Sequence, residues 1–172
     1  MSAQIPRVAR FERVSRAQFE ADWKDAFPNA IAPCDALKCP RRATAGAAGY
    51  DFYAPAAFAL DPGATIKIPT GIRAVIDDGW VLMIFPRSGL GFKYRLTLNN
   101  TVGVVDADYA GADNEGHIFI KMTNAGDRPL SVAAGEAFAQ GVFLPFGVTL
   151  DDDPGGHRTG GFGSTDRKTN GG

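Results

Sequence analysis

The chain has 172 residues, 45% of them apolar, which gives one domain room for a sizeable core. Its 21 glycines and 11 prolines favour turns and short strands over long helices. With 18 Lys and Arg against 19 Asp and Glu the net charge is −1, so nothing indicates a polyanion-binding surface, and two histidines and two cysteines exclude a three-histidine metal site and a disulfide framework.

Residues 1–16 hold four Arg and one Glu but lack the apolar core of a secretory signal. No apolar run approaches the ~18 residues needed to cross a bilayer. A cytoplasmic protein is expected. The segment Val14-Ser15-Arg16-Ala17-Gln18-Phe19 then reads as a helix start. Ser15 stands at the N-cap, Gln18 completes a capping box, and Val14 with Phe19 forms a hydrophobic staple. Phe19, Trp23 and Phe27 recur every fourth residue and line one face, and Pro28 ends the run. The spacing predicts an amphipathic helix over 16–26, packed on the main domain or offered to a partner.

Residues 29–45 read as a connector, and strand signals follow. They cover Ala64–Pro69, Gly71–Asp77, Trp80–Phe85, Tyr94–Leu98, Gly116–Met122 and Glu136–Leu144. The run Trp80–Phe85 is continuously apolar, as a strand buried on both faces would be. Turn signals separate these runs, as in Asp61-Pro62-Gly63 and Asp77-Asp78-Gly79. Short strands at close spacing predict an all-β sandwich, barrel or jelly roll. From residue 151 the chain is charged and then glycine-rich, with Phe162 as a lone aromatic that has nothing local to pack against.

There is no G-x-x-x-x-G-K-[ST], no G-x-G-x-x-G opening a helix and no G-x-S-x-G. Five segments nevertheless carry chemistry. In the first, around Gly49-Tyr50-Asp51-Phe52, Asp51 stands among apolar neighbours and needs a cation, an Arg or ordered water unless it only caps a turn. In the second, Phe85-Pro86-Arg87-Ser88-Gly89-Leu90-Gly91, a guanidinium, a hydroxyl and glycine N–H groups suit phosphate oxygens, or else form a plain strand-exit turn.

The third runs from Asn99 to Tyr109. Asp106 and Asp108 share a face if the segment is extended, and a carboxylate beside a bound phosphate could deprotonate a water; the other reading is a solvated acidic turn. Tyr109 could stack on a sugar or base. In the fourth, Gln140 is an amide inside an apolar strand and needs partners if buried. The fifth is the tail, where Arg158, Ser164 and Thr165 suit phosphates and Phe162 suits a planar ring, unless the terminus is disordered. Together these groups describe a nucleotide phosphohydrolase without a P-loop.

In that order and spacing, from about residue 41 to residue 166, the five segments resemble the motifs of the homotrimeric all-β dUTP pyrophosphatases, the dUTPases. The resemblance implies a dUTPase-like jelly-roll β-barrel over 41–150, an N-terminal extension over 1–40 and a C-terminal arm over 151–172 that closes an active site. It implies a trimer with shared sites, of bacterial or phage type, and hydrolysis of dUTP to dUMP and pyrophosphate with Mg²⁺ bound mainly through the triphosphate.

By the same resemblance, Asp106 is the general base, and Asp51 contacts the hydrated metal or orders the site. Arg87, Ser88, Gly89 and Gln140 hold phosphates, with Arg158, Ser164 and Thr165 from the arm. Asn100, Gly103 and Val104 read the uracil edge, Tyr109 packs under the deoxyribose, and Phe162 covers the uracil. Four departures from the usual family pattern stand out: Ala107 replaces Ser, residues 110–116 make a longer connection, one residue fewer separates Arg158 from Phe162, and Asp166 replaces Gly. Two other functions fit parts of the chain. One is a dCTP deaminase of the same superfamily. The other is a nucleotide-gated regulatory protein that docks a partner on the N-terminal helix and the 110–116 loop.

Overall fold

The computed structural model describes residues 4–155. Among these, two α-helices and twelve short strands follow in chain order: β1 (Ala9–Arg13), α1 (Arg16–Ala26), β2 (Arg41–Arg42), β3 (Tyr50–Tyr53), β4 (Phe58–Leu60), β5 (Thr65–Pro69), β6 (Ile72–Ile76), β7 (Trp80–Pro86), α2 (Ser88–Tyr94), β8 (Leu96–Leu98), β9 (Gly103–Val105), β10 (Phe119–Asn124), β11 (Leu130–Val132) and β12 (Ala137–Pro145). All pairings are antiparallel. The largest sheet has the order β2-β3-β12-β7-β9; β5-β10-β8 forms a second, and β1-β6 and β11-β4 are two-stranded. The fold is all-β with jelly-roll character, as the strand and turn signals predict.

One core fills the space between the sheets, with Phe52, Leu82, Ile84, Ile120, Met122, Leu130 and Phe138 at 2% exposure or less. Each such side chain contributes roughly 1.5–3 kcal/mol by leaving water. β7 differs from expectation. It is not buried on both faces: Leu82 and Ile84 enter the core, whereas Val81, Met83 and Phe85 alternate onto a half-covered face.

α1 spans the predicted residues. Ser15 Oγ accepts the Gln18 N–H at 3.1 Å, as a cap requires. The return half of the capping box is absent. Gln18 Nε2 donates to Asp22 Oδ2 at 2.8 Å, and the Ser15 N–H donates to Glu115 Oε2 at 2.7 Å. A carboxylate one turn along the helix and another from a distant loop outcompete the local amide. Phe19 and Trp23 join Val14 and Leu37 in a satellite core, with half-buried Phe27 against it. The helix face is therefore spent on the domain itself.

Other boundaries also differ. The strand expected at Tyr94–Leu98 is the end of α2 followed by β8, with Arg95 between them in the left-handed region at φ 52°. The connector 29–45 contains a 3₁₀ turn, Cys34–Ala36, and β2. β1 lies in the N-terminal segment and pairs along its whole length with β6, Ala9 opposite Ile76 and Arg13 opposite Ile72.

Candidate functional site

Strand pairing assembles the first polar cluster. β12 lies between β3 and β7, with Gln140 opposite Asp51 on one side and Phe85 on the other. A register shift between Ala137 and Ala139 sets this alignment, a bulge that buries Phe138 completely. Gln140 is half-buried and its Nε2 donates to the Pro86 carbonyl at 3.2 Å. Asp51, 18% exposed at the side chain, meets Arg87 Nε at 3.3 Å. The unfavourable carboxylate thus has the Arg partner that its apolar neighbours demand. Arg87 is itself tied to β12, its N–H donating to the Phe138 carbonyl at 3.4 Å.

Ser88 and Gly89 open α2, where the first-turn N–H groups have no intrahelical acceptor. The strand-exit turn read from Phe85 to Gly91 is therefore the start of a helix. Its two glycines disfavour that state, and half-buried Leu90 and Tyr94 overcome the penalty by packing against the core.

The second group surrounds a cavity of about 560 Å³. Asn100, Gly103 and Tyr109 line it, with Lys67, Asn114 and Lys121. Gly103 is required by close approach: a Cβ there would lie 3.1 Å from Ile84 Cβ on β7. Val104 points the other way along β9, is 46% exposed and does not line the cavity. Asp51, Arg87, Ser88, Gly89 and Gln140 do not line it either.

Asp106 is exposed and stands at the N-terminal end of a 3₁₀ turn, Ala107–Gly111. The segment is not extended, so the shared face expected for Asp106 and Asp108 does not arise from strand alternation. The same turn carries Tyr109 into the interior at 1% exposure. Its hydroxyl donates to the His117 carbonyl at 2.7 Å and accepts from Asn114 Nδ2 at 2.9 Å. The expected contributions of Arg158, Phe162, Ser164 and Thr165 lie outside the described residues.

Sequence reasoning did not single out His117, Asp22, Asn114 or Glu115. His117 is fully buried; its Nδ1 lies 2.5 Å from Asp22 Oδ2, and its Nε2 accepts the Gly71 N–H at 2.8 Å. Burial lowers its pKa below the usual histidine value, against the opposing pull of Asp22. Glu115 sits below the usual carboxylate range because the Ser15 hydroxyl and N–H both donate to it. A lone histidine opening an apolar strand run was the available signal.

Comparison with known proteins decides the family. The dUTPase family model matches residues 35–166. The chain belongs to the dUTPase family. It is 43% identical over 132 residues to the deoxyuridine 5'-triphosphate nucleotidohydrolase of Lactococcus lactis, covering 75% of this chain and 88% of the relative. The crystal structure of a dUTPase from Streptococcus mutans superposes with TM-score 0.61 at 36% identity, over 83% of this chain and 98% of that one. A mutant dUTPase from phage phi11 of S. aureus, described as coordinating a structural Mg(II) ion, shares the fold at TM-score 0.60 and 18% identity, over 86% of this chain and 97% of that one.

Proposed function

We propose that this dUTPase-family chain hydrolyses dUTP to dUMP and pyrophosphate in the cytoplasm, limiting uracil incorporation into DNA and supplying dUMP for dTMP synthesis. The observation that carries the reading is the division of labour inside a family-matched fold. One cluster presents Asp51, Arg87 and Gln140, and a separate cavity presents Asn100, Gly103 and Tyr109. A nucleoside triphosphate has the same two halves. Because none of the phosphate-binding candidates among the described residues lines the cavity, the arrangement supports a homotrimer in which neighbouring subunits complete each site.

In this reading the uracil edge meets Asn100 and the backbone at Gly103 and Val104. A cytosine would leave buried hydrogen-bonding groups unpaired. Tyr109 lies against the deoxyribose and leaves no room for a 2′-hydroxyl. Arg87, Ser88, Gly89 and Gln140 hold the phosphates. Asp106 accepts a proton from a water as its oxygen bonds to the α-phosphorus, the bond from that phosphorus to the bridging oxygen breaks, and pyrophosphate leaves. The cationic Arg87 offsets charge on the departing group. Arg158, Ser164 and Thr165 hold the terminal phosphate and Phe162 covers the base, excluding water as the arm closes.

Among the described residues no three His, Cys, Asp or Glu converge as a metal cage. In this reading Mg²⁺ is carried mainly by phosphate oxygens and waters, and Asp51 would contact it through water. When bound, Mg²⁺ neutralises phosphate charge.

The test is pyrophosphate release across dUTP, dTTP, dCTP and UTP with Mg²⁺. The reading requires dUTP to be strongly preferred, and equal turnover of all four would overturn it. A dCTP deaminase would instead release ammonia from dCTP, and none is expected. Deleting residues 157–172 should leave a folded protein with little activity; normal turnover by the truncated chain would remove the arm from the mechanism.

A further inference from the structure

Two departures of this chain meet in space. By the family resemblance, α1 belongs to an N-terminal extension and residues 110–116 form a longer connection. The Ser15 N–H and hydroxyl at the start of α1 both donate to Glu115, at 2.7 and 2.6 Å. Two helical turns further, Asp22 reaches His117. The Gly71 N–H can only donate, so His117 Nε2 accepts and the proton of the neutral ring sits on Nδ1, donated to Asp22. The helix therefore fixes this short segment at both ends.

This segment and the adjoining Asn114 are Tyr109's support. Asn114 Nδ2 donates to the Tyr109 hydroxyl, and Asn114 Oδ1 accepts the Gly116 N–H at 3.2 Å. The Tyr109 hydroxyl donates to the His117 carbonyl. Glu115 and Gly116 both adopt positive φ, 60° and 72°, folding the loop tightly over the tyrosine. A Cβ on Gly116 would lie 2.7 Å from both the Tyr109 carbonyl oxygen and Ala110 Cα. Hydrogen bonds joined through the backbone of residues 114–117 thus lead from α1 to a ring that borders the cavity.

The geometry points to Asp22, His117 and Glu115 as positioning residues that let α1 hold Tyr109 against the sugar and so sharpen discrimination between deoxyribonucleotides and ribonucleotides. None of the three lines the cavity; they act through Tyr109. The inference rests on the proposed dUTP hydrolysis. A ring that can retreat by a fraction of an ångström admits an extra hydroxyl, while the phosphate cluster across β3 and β12 is untouched. Loss of the brace should therefore relax selectivity more than it slows chemistry.

The experiment compares kcat/KM for dUTP and UTP in the full chain and its variants. Asp22→Ala and Glu115→Ala should each lower the dUTP:UTP ratio about tenfold, a loss in keeping with small displacements of a positioned group, with kcat for dUTP falling less. Asp22→Asn keeps an acceptor for His117 and should restore the ratio. In a Tyr109→Phe background, which removes the hydroxyl, neither alanine change should lower the ratio further. Glu115 is half-buried and outside the core, so its variant keeps the test open if Asp22→Ala fails to fold. Wild-type ratios in both alanine variants, or full additivity with Tyr109→Phe, would overturn the brace while leaving the hydrolysis standing. A wild-type chain that releases no pyrophosphate from dUTP would remove both readings.

Discussion

The proposed phosphate cluster and the proposed nucleoside cavity are built by opposite means. Asp51 and Gln140 are placed by β-pairing on β3 and β12, Arg87 follows β7 directly with its N–H donating to the Phe138 carbonyl, and their polar ends reach partly exposed space. Tyr109 is placed by side chains, through Asn114, the His117 carbonyl and a loop fastened to α1. Groups proposed to meet phosphate must present their polar ends outward, so the backbone does most of the positioning. The ring proposed to gauge the sugar is buried to 1% exposure, so packing and hydrogen bonds fix it from behind.

This contrast can be broken in several places. The largest expected effect is chemical. Asp106→Asn removes the proposed base, and kcat for dUTP should fall about 10²–10⁴-fold with KM little changed; steady-state kinetics that retain kcat would take Asp106 out of that role. The next is structural. Phe19 is fully buried in the satellite core beneath α1, and Phe19→Ala should destabilise by about 3–5 kcal/mol in denaturant unfolding. The variant should also blur sugar discrimination, as loss of the brace does.

Arg87→Ala comes third. It strips Asp51 of its partner and the proposed phosphate site of a cation, so kcat/KM for dUTP should drop by about 10²-fold, in the range for loss of one transition-state donor. The dUTP:UTP ratio should hold, because the cavity does not include Arg87. A changed ratio would show the two regions to be coupled.

The smallest effect is pH dependence of stability. The charged groups facing His117 are Asp22 on α1, Glu115 in the loop and Lys67 on β5. Burial depresses the folded-state pKa of His117, so the unfolded chain takes up its proton first as pH falls. Stability from neutral His117 is complete above its ordinary value near 6.5 and declines as pH drops below that toward the folded value. Glu115, also depressed, adds a loss at lower pH, below the ordinary carboxylate value. Unfolding free energies measured from pH 8 down to pH 4 should fall steadily, and His117→Gln should flatten the upper part of that decline.

Much of the architecture was legible because it rests on local pattern. The four-residue spacing of Phe19, Trp23 and Phe27 marked α1, and alternation around Ile66, Ile68, Ile72 and Ile76 marked β5 and β6. The features that escaped depend on distant partners. α2 forms despite Gly89 and Gly91 because tertiary packing of Leu90 and Tyr94 outweighs propensity. The bulge at Phe138 leaves no mark in composition. Gln18 looked like the second half of a capping box, yet Asp22 and Glu115 took its place. Asp51 was legible as a carboxylate in want of a partner, and Arg87 supplies it. The His117 brace was not legible, since it joins residues 95 positions apart.

The central claim is that water attacks the α-phosphorus of dUTP with Asp106 as base. Hydrolysis in ¹⁸O-labelled water, followed by mass spectrometry of both products, tests it most directly. The account predicts one labelled oxygen in dUMP and none in pyrophosphate, with the Asp106→Asn chain nearly inert. Label in the pyrophosphate, or labelled dUMP formed at an undiminished rate without Asp106, would contradict it.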